Sequence, residues 1–278
     1  MEFGLNEEQR MLEQSMRGFL GEKLPMDKVR KIVERGDGFD AELWKGLVEQ
    51  GIAGLMVPER FGGAGLSLLD AAVVAECMGY HAAPAPFSAS LVMAPMALMA
   101  SGSETQRAEW LPKIATGDVR VGVVFAGGSG QTGETSARLV GDRLSGRITG
   151  ALDCGGATHC LAYLADGRGV LLATKEQGVK ADVHRSLDRT RPVTDLVFDN
   201  ARALVLSAAN DPSATATRVL DAGRVILAAD TLGAAQSMFD KALTYSKERV
   251  QFDRTIGSFQ GVKHTLADLV TMLEPCRP

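Results

Sequence analysis

The residues richest in chemistry lie near the end of the chain, in the stretch Tyr245–Leu273, YSKERVQFDRTIGSFQGVKHTLADLVTML. Glu248, Arg249, Gln251 and Phe252 close one helical pattern, and Asp253-Arg254-Thr255-Ile256-Gly257 connects it to a second. In that second pattern Phe259, Val262, Leu266, Leu269 and Leu273 recur at spacings of three and four, which makes one apolar stripe on an α-helix. Gln260, Lys263, His264 and Asp268 fall off the stripe. An arginine, a glutamine and an aromatic gathered at a helix–helix turn suit an anionic, ring-bearing ligand. A guanidinium grips a phosphate at two points, and a carboxamide bridges to a neighbouring polar edge. A plainer reading, a surface Arg–Glu pair beside ordinary packing, accounts for the same residues, and chemistry alone favours it.

The elements that must position this stretch belong to an ordinary globular chain. Its 278 residues suffice for two domains or one large one. With 45% hydrophobic residues but only 5% aromatic, the core must be built mainly from Ala, Val, Leu and Met. A net charge of −4 and the lack of a basic block argue against nucleic acid as a partner. The acidic start MEFGLNEEQR lacks a basic region followed by an apolar run, so no signal peptide is expected, and no apolar run is long enough to span a membrane. Cys77, Cys154, Cys160 and Cys276 form no C-x-x-C pair, so a cytoplasmic protein with reduced thiols is expected. Cys154, His159 and Cys160 match no zinc spacing and read as strand or core residues; no metal is expected.

Along the chain the hydrophobic period divides the sequence into three segments. Residues 1–118 read as a helical domain. Its first helix carries Leu5, Leu12, Met16, Phe19 and Leu20 behind a cap at Asn6. A second helix spans Ala41 to Gln50 and is closed by Gly51. Val57 to Gly65 is a Pro- and Gly-rich turn region, and a helix resumes from Ser67 or Leu68 to Gly79. Ala85 to Met99 is apolar enough for a buried helix, and Ser103 with Gln106 caps Glu104 to Ala115. Residues 119–206 switch to short Val- and Gly-rich runs, with turns at Asp142-Arg143, Asp166-Gly167 and Asp199-Asn200, and so predict an antiparallel β domain. Residues 207–278 are helical again, with one helix of about 35 residues running to Gln251. Small residues Ala228, Ala229, Gly233, Ala234 and Ala235 on it would admit another helix at close range.

This α-β-α order, the Pro58-Glu59-Arg60-Phe61-Gly62-Gly63 loop and the run Glu248 to Gln260 together resemble the acyl-CoA dehydrogenase family, over nearly the whole chain to Glu274. The match is most specific at Arg249, Gln251, Phe252, Phe259 and Gln260, with Asp253 in place of the family's Gly. Trp110 to Gly117 is similar to the family's helix-to-β junction. The resemblance implies an α+β multidomain fold, with an N-terminal helical domain, a barrel-like central β domain and a C-terminal helical bundle. It implies FAD as cofactor and an acyl-CoA thioester as substrate. In that chemistry a Glu takes the α proton, a hydride leaves the β carbon for the flavin, and hydrogen bonds hold the developing enolate. By the same resemblance Arg249, Gln251, Phe252 and Gln260 contact the FAD of a neighbouring subunit, and Asp221 and Arg224 face the substrate. A homo- or hetero-oligomer with another chain of the family is implied, with an electron-transfer flavoprotein as acceptor.

Three departures stand out. The family's flavin loop is replaced by Phe125 to Gly133, where Ser129 and Thr132 are the candidate stand-ins for its hydroxyls. The place of a flavin-facing Trp/Phe-Ile-Thr/Ser segment holds Ala151-Leu152-Asp153-Cys154, and an Asp153 charge there would disfavour reduced flavin. The helical bundle is expected to be incomplete, because the chain reaches Pro275 where the family continues through further helices that usually carry the base. The alternative position for that base, just before Arg224, is Gly223, so no residue is assigned as base. A non-catalytic partner subunit, or an inactive fragment, is therefore the second reading.

Overall fold

A computed structural model of the chain describes residues 4–36, 38–126 and 136–277. Local capping sets the early helices. In α1 (Glu7–Lys23) the Asn6 side chain accepts from the Gln9 N–H while the Gln9 side chain accepts from the Asn6 N–H. Met26–Arg35 forms α2, a helix the sequence reading leaves unassigned although Val29 and Ile32 are its buried face. In α3 (Ala41–Glu49) Asp40 caps the Leu43 N–H. After the Gly-Gly turn come α4 (Leu68–Tyr80), α5 (Ala94–Ser101) and α6 (Glu104–Ala115), the last with the expected Ser103–Gln106 capping box.

The buried helix expected over 85–99 is present only in part as an α-helix. Phe87–Met93 winds as a π-helix before α5 begins. Pro95 explains part of this. It has no N–H to donate and its ring crowds the preceding turn, and the Ala94 N–H reaches Ala89 O, five residues back.

The strands form two four-stranded sheets. One runs β1 (Val121–Phe125), β4 (His159–Tyr163), β5 (Gly169–Ala173), β8 (Leu204–Leu206). The other runs β2 (Arg138–Val140), β3 (Arg143–Ala151), β7 (Thr194–Arg202), β6 (Val179–Val183). All their ladders are antiparallel except one. β1 and β4 pair in parallel, Val121 opposite His159, because the chain crosses over through β2 and β3 before returning. A bridge between Val123 and Leu152 links the sheets, and Leu144, Ile148, Cys160, Val170, Leu196 and Phe198 fill the core. The turn expected at Asp142-Arg143 falls one residue earlier, at Gly141-Asp142, with Arg143 already paired to Val140, and Asp166-Gly167 turns as expected. Asp199-Asn200 does not. Both lie inside β7, where the register against β3 slips between Phe198 and Ala201 and Asn200 takes φ 52° as a bulge.

α7 (Pro212–Glu248) is the long helix, 37 residues, started by Asp211 accepting from the Ala214 N–H. Packing groups the chain into two compact units that cut across the three segments read from the sequence. One comprises Met26–Ala71 and Pro84–Ile226; the other comprises Met1–Pro25, Ala72–Ala83 and Leu227–Pro278. Within the second, α4 and α7 touch backbone to backbone. A Cβ on Gly79 would lie 1.9 Å from Asp230 O, and one on Gly233 would lie 1.9 Å from Glu76 O. The Arg277 guanidinium then joins Glu76, Gln236 and Glu274.

Two predictions follow from packing and charge. Gly233→Ala should cost about 1–3 kcal/mol or more in urea unfolding, whereas Gly261→Ala, with open space around its Cβ, should be neutral or gain up to about 1 kcal/mol. The second concerns Asp195, whose side chain is 7% exposed and receives Arg147, His184 and the Gly150 N–H. Burial alone would push its carboxyl up, but the bonds from Arg147, His184 and Gly150 outweigh burial and hold it below the ordinary range. A depressed folded pKa contributes stability that is complete above the unfolded value near about 3.9 and is lost as pH falls through the folded one. Asp195→Asn should therefore flatten the acid limb of a Tm-against-pH curve.

Candidate functional site

The stretch from Tyr245 folds as helix, hairpin, helix. α7 ends at Glu248, Val250–Gln251 (β9) pairs antiparallel with Arg254–Thr255 (β10), a 3₁₀ turn covers Ile256–Ser258, and α8 spans Gln260–Leu273. Phe252 (φ 53°) and Asp253 (φ 61°) are the two central residues of the hairpin turn. Positive φ at both is what a primed two-residue turn needs. Asp tolerates it in place of the family's Gly, whereas for Phe it is uncommon. The Ile256 N–H donates to Arg249 O at 2.8 Å and locks the hairpin to the helix end. Gly257 lets the turn sit on α7, since a Cβ there would come within 2.9 Å of Ser246 O.

That scaffold displays the expected residues together. Phe252 is 86% exposed and meets Phe259 edge-on at 6.2 Å. The Arg254 guanidinium lies 4.0 Å over the Phe259 ring. Arg249, Gln251 and Gln260 are exposed, and the Gln251 carboxamide donates to Val250 O. Among the described residues the Arg249 side chain has no hydrogen bond and no ion pair, and Glu248 does not pair with it. The plain Arg–Glu surface pair is therefore not formed. Phe259, the N-cap residue of α8, supplies no side-chain cap, and the Arg254 guanidinium lies over its ring at the helix start. Two arginines, two carboxamides, an exposed ring and a helix start without a side-chain cap fit a pyrophosphate carrying an aromatic base. Arg254 is the member the sequence reading passes over; its spacing of five from Phe259 was the available signal.

Asp221 and Arg224 lie on the first half of α7 and pair with each other at 2.7 Å, both exposed. Between them Gly223 packs against the π-helix, where a Cβ would meet the Met93 sulfur at 2.7 Å. Asp153, 8% exposed and at φ 57°, does not present a bare charge. Its carboxylate accepts from the Ala89 N–H at 2.9 Å. Phe125 stacks on Tyr163 at 4.8 Å, and the buried Tyr163 hydroxyl has no partner among the described residues. Ser129 and Thr132 lie outside the described residues. His159 sits edge-on to Trp110 at 4.9 Å, and burial followed by Lys113 pushes its pKa down.

Residues 6–118 match the N-terminal domain of acyl-CoA dehydrogenases, and residues 213–277 match their C-terminal domain. The chain belongs to the acyl-CoA dehydrogenase family. It is 31% identical to acyl-CoA dehydrogenase IpdE2 of Mycolicibacterium smegmatis, over 98% of this chain and 75% of that one. A solved structure described as the Tcur3481–Tcur3483 steroid ACAD G363A variant superposes with TM-score 0.85 at 30% identity, covering 96% of this chain and 74% of that one. The ChsE4–ChsE5 complex from Mycobacterium tuberculosis superposes with TM-score 0.85 at 26% identity, covering 99% and 79%. Acyl-CoA dehydrogenases bind FAD and form both homo- and hetero-oligomers. Among the described residues no helix is long and apolar enough to cross a membrane, and no cluster of His, Cys, Asp or Glu could hold a metal.

The packing at Gly223 bears on where a base could be placed. Gly223→Glu should cost about 1–3 kcal/mol by overpacking. Combined with Met93→Ala it should cost less than the sum of the two single changes, in a double-mutant cycle read by urea unfolding.

Proposed function

We propose that this chain is an acyl-CoA dehydrogenase-type flavoprotein that works within an oligomer, its Arg249–Gln260 element donated to the FAD of a neighbouring subunit. The observation that carries this reading is a hairpin holding Arg249, without a partner among the described residues, next to an 86% exposed Phe252. Arg249 and Arg254 would meet the two phosphates, Gln251 and Gln260 the polar edges around them, and Phe252 an adenine face. FAD, when bound, supplies the two-electron acceptor for α,β-dehydrogenation of an acyl-CoA thioester. Arg224, oriented by Asp221, would hold the substrate's polar part, and an electron-transfer flavoprotein would take the electrons onward.

A second reading is favoured by a specific observation. Position 223, one of the family's places for the base, holds a Gly packed on Met93, and the Asp153 carboxylate is already engaged. On that reading the chain is a non-catalytic partner subunit that supplies FAD contacts and an interface to a sister chain.

Both readings require Arg249 to hold FAD; they differ in turnover. Loss of a charge-assisted hydrogen bond of about 1.5–3 kcal/mol predicts about a 10- to 100-fold rise in FAD Kd for Arg249→Ala, with an unchanged Tm, in a flavin titration of the purified assembly. An unchanged Kd sinks the FAD-contact assignment. Anaerobic bleaching of the flavin by acyl-CoA with this chain alone separates the dehydrogenase from the partner subunit.

A further inference from the structure

We propose that Cys154 and Cys160 are an oxidation site, a pair of thiols that closes to a disulfide when the protein meets a peroxide. Geometry brings them together. Gly122 in β1 is the Cα partner of Cys160 in β4, and in a parallel pair such partners face the same side of the sheet. Gly122 is the one residue of β1 without a side chain, and a Cβ built there would lie 2.4 Å from Cys154 Sγ. The Cys154 sulfur therefore fills the space that Gly122 leaves open, on the face that carries Cys160. Cys160 is fully buried in the core between the sheets, and Cys154 packs against that core while remaining half-buried.

The surroundings divide the labour between the two sulfurs. A hydrogen bond to Cys154, then burial, pushes the Cys160 thiol well above its ordinary range, so Cys160 stays protonated and shielded. Cys154 follows Asp153 in a turn closed by the Ala157 N–H on Cys154 O, and it is the sulfur an oxidant reaches first. Peroxide transfers one oxygen to the Cys154 sulfur and leaves as water, giving a sulfenic acid. The Cys160 sulfur then attacks that sulfur. The S–S bond forms, the S–O bond breaks, and the departing oxygen takes the Cys160 proton to leave as a second water. Two thiols supply the two electrons that reduce one peroxide.

The other cysteines serve as internal controls. Cys77 is buried, its thiol pushed up to about 12 by burial, and its Sγ donates to Glu13 O. Cys276 is exposed and is changed to Ser to prevent links between chains. Trypsin places Cys154 and Cys160 in one peptide, Ile148–Arg168. The test treats folded Cys276→Ser protein with hydrogen peroxide, labels it with iodoacetamide after denaturation, digests it and weighs that peptide. The proposal expects a species lighter by two hydrogens, unlabelled at both cysteines, which regains both labels after dithiothreitol. It expects Cys160→Ser to lose this species and to carry Cys154 on to the sulfinic acid. Both cysteines remaining labelled, or Cys154 gaining two oxygens in the parent protein while Cys160 stays labelled, overturns it. The parent protein's peptide mass decides even where a variant fails to fold.

Discussion

The fold depends on how closely α7 is approached. Where α4 crosses it, Gly79 and Gly233 bring each helix's backbone against the carbonyls of the other, at distances no side chain would permit. That approach excludes any side chain at the two crossing points, which is why both are Gly. Dispersion over such a seam falls off within an ångström, so contact at this range also fixes the register of α7 against α4. The end of α7, and therefore the hairpin that follows it, inherits its position from this contact. Arg277 returns from beyond α8 to Glu76 on α4 and Gln236 on α7, so the same crossing also anchors the last turn.

What was legible in the sequence was what is decided locally. The cap at Asn6 and the capping box at Ser103–Gln106 are each set within four residues, and the helices they start lie where expected; the structure adds that Gln9 completes a box at Asn6 as well. The Asp166-Gly167 turn is local in the same way. Pairings between distant strands are not. The parallel match of β1 to β4 depends on a crossover, and the bulge at Asp199-Asn200 exists only because β3 lies opposite. The π-helix at 87–93 combines a missing donor at Pro95 with a carboxylate, Asp153, that arrives from 64 residues away. α2 carries Met26, Val29, Ile32 and Val33 at helical spacing, a stripe that is local and readable although the sequence reading leaves it out.

The site divides along the same line. Arg249, Gln251, Phe252 and Gln260 are near neighbours in sequence, so their spacing alone placed them together. What it could not give is their freedom. A surface Arg beside a Glu can pair with it, and only the fold shows that Arg249 has no partner among the described residues. Likewise Asp153 looked like a charge at a ring, yet its carboxylate is committed to the Ala89 N–H. Tyr245 in the last turn of α7 and Phe252 in the hairpin turn are exposed apolar side chains flanking Arg249 in sequence. Exposed rings beside a guanidinium that has no ion pair among the described residues are the features on which the proposed FAD contact rests.

The central claim is that FAD binding draws on a residue set held by a neighbouring subunit. It is tested most directly by measuring flavin affinity across a range of protein concentrations that spans dissociation of the assembly, with sedimentation followed in parallel. The account predicts that FAD is lost as the oligomer dissociates and regained on concentration. Affinity that stays constant from assembly to single chains would contradict it.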